Sequence, residues 1–117
     1  MLKALLKSSR ELVSDPARWA QGTLARDAFG HNISPHDIDA VCYCGIGAIK
    51  LKSHQGEMLD VGLERRIALQ DYAHDSLTHA ARCISKNPGA TFPGYQDSHT
   101  HAEMLAVFDL AIKMAVE

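Results

Sequence analysis

The segment at residues 40–49, AVCYCGIGAI, constrains the fold most, because it is the most apolar run in the chain and also contains small residues and thiols. Its apolar side chains follow helical spacing. Gly45 and Gly47 would each cost a helix about 1 kcal/mol relative to alanine, so the pattern needs a compensating contact. The close approach of another backbone to a narrow face of Gly, Ala and Cys would provide one. We therefore predict that this segment forms the first half of a buried central helix.

Two positions are compatible with the start of this helix. The sequence Ser-Pro-His-Asp at residues 34–37 has a proline suited to a first helical turn and polar side chains able to cap it. In the alternative, residues 41–43 are extended and the helix begins at Cys44, where the helix dipole would lower the pKa of the thiol. We favour a structural role, with a small-residue packing face and unreactive buried thiols, because free cysteine is usually a core residue.

Length, charge and cysteine content restrict the class of protein. The 117 residues are expected to form a single compact domain, residues 1–117, with a real core. A net charge of −2 gives no basic excess, so neither nucleic-acid nor membrane binding is expected. No segment approaches the roughly 20 apolar residues of a membrane span. The chain has three cysteines, an odd number, and Cys42 and Cys44 are too close to bridge comfortably, which predicts reduced thiols and a cytoplasmic protein. Lys3 interrupts the apolar residues 2–6 and polar residues follow, so no signal peptide is expected.

The rest of the pattern predicts a mainly α fold. Amphipathic spacing predicts helices at residues 2–14 and 58–85, with Gly62 as a candidate break in the second, and a capping box formed by Thr100 and Glu103 opens a last helix. Turn signals predict a loop at residues 86–97 and a small β-hairpin with its turn near Gly30. The expected architecture is α+β, with four helices around the buried central small-residue helix and the hairpin packed against them.

A cluster of reactive side chains before the last helix suggests a thiol hydrolase or transferase as one possible function. Cys44 would be the nucleophile, His99 or His101 the general base, and Asp97 or Glu103 the group that orients the base. This chemistry requires the thiolate and an imidazole within hydrogen-bonding reach, which the sequence does not reveal.

A metal site is another alternative. His99 and His101 could combine with Asp71, Asp75 or His79, which share a face of the long helix. A His-x-His pair suits a strand better than a helical turn, and a row of polar residues on a helix is more often a solvated stripe. No His-Glu-x-x-His or Cys-x-x-Cys motif strengthens the hypothesis, so no metal or other cofactor is predicted.

Four short motifs resemble those of a family of small uncharacterised proteins known mainly from actinobacteria and their phages. They are Trp-x-Gln-Gly at residues 19–22, Ala-Arg-Asp-Ala-x-Gly at 25–30, Cys-x-x-Gly-Ala at 44–48, and Thr-x-x-Glu-x-Leu at 100–105. The chain departs from the family pattern at Tyr43, where Trp is frequent, and at Gln96, where Asn is frequent. The resemblance implies one compact domain and no particular activity.

The function that requires least of this sequence is that of a binding or regulatory protein acting through a protein surface. Such a protein needs only a stable fold and a patch of surface residues that contacts a partner. We therefore expect a binding protein rather than an enzyme. The predicted binding residues are Trp19, Gln21, Arg26 and Asp27, because an arginine beside an aromatic ring and an amide can form a polar recognition patch. The exposed side of the first helix is a second candidate surface. The expected partner is another protein or a second copy of the chain, and a role in a phage or mobile element would fit.

Overall fold

The structure is a computed structural model that describes residues 1–116. The described chain is mainly helical and includes one two-stranded antiparallel ribbon, which confirms the predicted fold class. The elements are α1 (Leu2–Leu12), β1 (Ala25–Arg26), β2 (Cys42–Tyr43), α2 (Gly45–Lys52), α3 (Leu63–Ser85), α4 (Phe92–Ser98) and α5 (His101–Met114), with 3₁₀ turns at Pro16–Arg18 and Gly56–Asp60. None of the helices within residues 1–116 combines the length and the hydropathy that a membrane-spanning helix requires.

The hydrophobic core lies where α1, α3 and α5 pack together and α2 and α4 cover them. In α1, apolar residues recur at helical spacing, so one face is buried. Ser9 is fully buried on that face, and its hydroxyl is satisfied because it donates to the carbonyl of Leu5 at 2.7 Å. Phe92 of α4 meets Phe108 of α5 edge to face, with ring centroids 5.7 Å apart. These fully buried rings anchor the short α4 to the core.

The central helix begins later than the proline signal suggests. Residues 42–43 are extended as β2, Cys44 is the N-cap, and α2 starts at Gly45. The predicted start at residues 34–37 is therefore wrong, and the alternative start is confirmed. The reason is tertiary: the backbone of Tyr43 pairs with Ala25 of β1, so residues 42–43 cannot be helical.

The two glycines of α2, which are unfavourable in a helix, allow neighbouring groups to pack closely against it. A Cβ atom on Gly47 would overlap the backbone carbonyl of Leu24, and one on Gly45 would lie 2.5 Å from the ring of Phe92. The amide of Cys44 also donates to the Leu24 carbonyl, at 3.2 Å. The predicted packing of a second backbone against a buried small-residue face is confirmed, and that backbone belongs to the segment leading into β1.

The predicted turn near Gly30 is present, but the ribbon is arranged differently from a simple hairpin. The amide of Gly30 donates to the Asp27 carbonyl at 3.1 Å, and Gly30 adopts a positive φ of 83°. Arg26 makes a single bridge to Asn32, whereas the strand pairing of β1 is with β2. Residues 27–41 therefore form an excursion that leaves the ribbon at one strand and returns at the other.

One further boundary differs from expectation. The predicted loop at residues 86–97 contains α4, which Thr91 caps by accepting from the amide of Gly94 at 3.3 Å. The predicted helix at residues 58–85 is divided at the candidate break, because a 3₁₀ turn occupies Gly56–Asp60 and α3 starts only after Gly62. The predicted capping box of α5 is confirmed.

Candidate binding surface and its supporting junction

Segment 19–24, the start of α2 and the end of α4 meet at a close-packed site that we call the junction, formed by Trp19, Gln21, Cys44, Gln96 and Asp97. Gln96 is only 2% exposed and accepts from the indole N–H of Trp19 at 3.0 Å. Its amide nitrogen donates to the carboxylate of Asp97. The side-chain amide of Gln21 donates to the backbone carbonyl of Gln96 at 2.8 Å. The polar groups of the junction are thus largely engaged with one another.

Cys44 is held as a buried helix cap. Its side chain is 6% exposed, and its sulfur accepts from the amide of Gly47 at 3.3 Å. Burial raises the pKa of the Cys44 thiol, and the negative charge of Asp97 acts in the same direction, while nearby backbone N–H groups act against them. The net direction is upward, so the thiol stays protonated at neutral pH. The expected lowering by the helix dipole is outweighed.

The two candidate histidines are engaged elsewhere. The Nδ1 atom of His99 lies 2.8 Å from the carbonyl of Tyr95, and its ring stacks on that residue with centroids 3.7 Å apart. The Nε2 atom of His101 lies 2.7 Å from the carbonyl of Val13. Neither ring hydrogen-bonds to Cys44. The structure therefore does not form the thiol–imidazole pair that the hydrolase or transferase hypothesis requires.

Asp97 lines a small cleft beside the thiol. One carboxylate oxygen accepts from the amide of Gly22 at 2.9 Å. The cleft has a volume of about 240 Å³. Its lining consists of Thr23, Leu24, Cys44, Ile46, Pro93, Gln96 and Asp97. The cleft places a carboxylate near a protonated thiol, and its lining residues include no histidine.

The residues of the metal hypothesis do not converge. Within residues 1–116, no group of three or more His, Cys, Asp or Glu side chains is arranged to hold a metal ion. His99 and His101 bond to different elements, as described above, and His79 lies 3.8 Å from the sulfur of Cys83 on the same helix. Asp71 and Asp75 are exposed on α3. The expected solvated stripe is the better description of that helix face.

Asp27 acts as an internal cap for the turn that follows it. One carboxylate oxygen accepts from the amides of Phe29 and His31, each at 2.9 Å, and the other lies 3.1 Å from Nδ1 of His31. The backbone N–H of His31 is the main reason that the pKa of Asp27 is lowered. Asp27 therefore fixes the shape of the excursion.

Arg26 holds the two sides of the excursion together. Its guanidinium donates to the side-chain oxygen of Asn32 at 2.6 Å and to the carbonyl of Gln21 at 3.0 Å. Its own carbonyl accepts from the amide of Val41 at 2.9 Å. Like Trp19 and Gln21, this residue uses its polar groups within the fold.

The excursion displays apolar side chains that sequence reasoning placed in the core or passed over. Phe29 is 86% exposed, Ile38 is 97% exposed and Val41 is 45% exposed. These three residues, which we call the loop patch, line one cleft of about 350 Å³ together with Asp27, Ala28 and Asp39. Ile38 and Val41 fit the helical spacing of a buried helix, so the prediction that the helix starts at residues 34–37 assigned them to the core. Both lie in the excursion instead, because α2 starts only at Gly45.

The model of a family of unknown function, DUF6197, matches residues 2–114. The chain belongs to this family. The DUF6197 match runs from the start of α1 to the end of α5, so it includes both the junction and the loop patch. Membership in a family of uncharacterised proteins is thereby confirmed, whereas an association with phages stays a prediction. No curated protein and no solved structure matches this DUF6197 chain.

Proposed function

We propose that the protein binds a partner protein through the loop patch of Phe29, Ile38 and Val41. The observation that carries this proposal is the gathering of these exposed apolar side chains on one cleft. Single exposed apolar residues are common on proteins, but clustered ones mark interaction sites. The exposed side of α1 is less suitable, because none of its large apolar side chains is among the exposed ones within residues 1–116.

The shape of the excursion supports binding with little loss of conformational freedom. The amide of Asp39 donates to the Asp37 carboxylate at 2.9 Å, and the hydroxyl of Tyr43 donates to the carbonyl of Ala40 at 3.2 Å. Together with the Asp27 cap, these bonds hold the loop in one conformation. A preorganised surface loses less entropy on association than a mobile one does.

Within this proposal the predicted binding residues have a positioning role. Arg26 and Asp27 hold the excursion, while Trp19 and Gln21 fix the segment that leads into β1. Substituting them would weaken binding by altering the loop, whereas the contact itself would be made by apolar side chains.

Selection from a library of displayed random peptides, using the purified chain as the target, tests the proposal. Peptides selected on the wild type should bind Ile38→Asp and Phe29→Asp about 5- to 30-fold more weakly, because a central apolar contact contributes roughly 1–2 kcal/mol. Leu59→Asp is the matched control, since Leu59 is also exposed, at 66%, and lies outside this cleft. Thermal unfolding of each variant verifies the fold. Equal binding to all variants, or no enrichment on the wild type, would contradict the proposal.

A further inference from the structure

The loop patch is bordered by carboxylates. Asp27 and Asp39 line the same cleft as the apolar side chains. Asp37 lies in the same turn, where its side chain accepts from the amide of Asp39. Within the described residues, no hydrogen bond or salt bridge engages the carboxylate of Asp39 itself, and the residue is exposed. An ionised group in this state is available to a ligand.

The nearby cations offset this charge only in part, because residues 27–41 contain three aspartates and neither lysine nor arginine. The guanidinium of Arg26 is directed to the Asn32 side chain and to backbone carbonyls. His31 contacts only Asp27 among the three carboxylates, and its side chain is 75% exposed. The lowered pKa of Asp27 keeps that group ionised at neutral pH. The border of the cleft is therefore negative.

We propose that the loop patch takes a partner segment in which an apolar side chain is flanked by lysine or arginine. The apolar side chain enters the cleft beside Phe29 and Ile38, and the cation pairs with Asp39. This inference rests on the proposed function and adds the chemistry of its partner. Charges at the rim of an interface set specificity and association rate, and salt screens them.

A second copy of the chain is a less suitable occupant. A symmetric contact through this face would bring the Asp27 and Asp39 carboxylates of two copies towards each other, and opposed like charges disfavour association. The chain as a whole also carries a net charge of −2. The charge at the patch thus favours a basic partner over self-association.

The composition and salt dependence of the selected peptides test this inference. Peptides selected on the wild type should contain Lys or Arg next to an apolar residue. Asp39→Asn should weaken their binding about 3- to 10-fold and flatten its dependence on salt between about 50 and about 300 mM, where exposed charge pairs become screened. Asp60→Asn is the control, because Asp60 is exposed and lies outside the cleft.

The outcomes separate the inference from the proposed function. Peptides that bind the wild type and Asp39→Asn equally, or that carry acidic flanks, overturn the inference, while their sensitivity to Ile38→Asp still supports the proposed function. A concentration-dependent dimer that Ile38→Asp abolishes, seen by analytical ultracentrifugation without peptide enrichment, overturns the basic partner in favour of a second copy. Binding that is insensitive to Ile38→Asp overturns both.

Discussion

The junction and the loop patch lie on neighbouring parts of the chain but differ in how their side chains are engaged. At the junction, the polar and potentially reactive side chains of Cys44, Gln96 and Asp97 form hydrogen bonds with the backbone or with each other. At the patch, the side chains of Phe29 and Ile38 have almost no cover. The difference teaches that reactive residue types do not by themselves identify a site, because the protein uses them here to hold a loop.

The largest expected effect tests the close packing of the junction. Gly47→Ala would drive a Cβ atom into the backbone carbonyl of Leu24, and overpacking against a backbone that cannot move aside should cost about 3 kcal/mol or more of unfolding free energy. Urea denaturation measures this loss. Gly62→Ala is the control, because within residues 1–116 the added carbon would have no atom within 4 Å apart from those of its chain neighbours, and it should cost less than about 1 kcal/mol. Equal effects would mean that the junction is looser than described.

An intermediate effect should follow from removing one polar group of the junction. Gln96→Met keeps the size of the side chain but leaves the indole N–H of Trp19 without its acceptor, which should cost about 1–3 kcal/mol. Gln55→Met, at an exposed position, should change the unfolding free energy by less than about 0.5 kcal/mol. If both variants unfold at the same denaturant concentration, the hydrogen bonds of Gln96 do not distinguish the junction from the surface.

The smallest expected effect concerns the loop that carries Ile38. The ring of His36 packs edge-on against that of His54, with centroids 4.7 Å apart. Desolvation, followed by the nearby positive charges of His54 and Lys50, lowers the pKa of His36 below its usual value of 6.5. The unfolded chain therefore binds more protons here than the folded chain does, so this contribution to stability is fully present above pH 6.5 and is lost as the pH falls from 6.5 through the lower pKa of the folded state.

Comparison of His36→Asn with the wild type between about pH 5 and about pH 7.5 isolates this contribution. The wild type should lose slightly more stability than the variant on acidification, by less than about 1 kcal/mol, because solvent screens an exposed imidazole. His79→Asn is a suitable control, since His79 is also exposed but lies on α3 rather than in the excursion. Parallel pH profiles for the wild type and His36→Asn would contradict the assignment.

The features that were predictable from the sequence are those that local rules determine. The amphipathic face of α1 and the Thr100 capping box depend on residues within one or two helical turns, and both are confirmed. The start of α2 was ambiguous because two sites satisfied the local rules and only pairing with β1 decides between them. The hydrogen bond between the side chains of Trp19 and Gln96 spans 77 positions, so no local sequence pattern predicts it. The loop patch was not predicted for the same reason: whether residues 38–41 belong to the helix also depends on the pairing of β2 with β1.

The pairing of Arg26 with Cys42 on the ribbon has a consequence for how relatives of this chain can diverge. The residues between these two positions depart and return at fixed points, so the exposed ones among them, such as Phe29 and Ile38, can vary while the ribbon remains closed. Under the proposed function, a substitution at these exposed positions would alter which molecule is bound without requiring compensation in the helices. Under the proposed function, target choice and thermodynamic stability would be inherited as nearly independent traits, because the exposed apolar side chains and the residues that hold the loop are different ones.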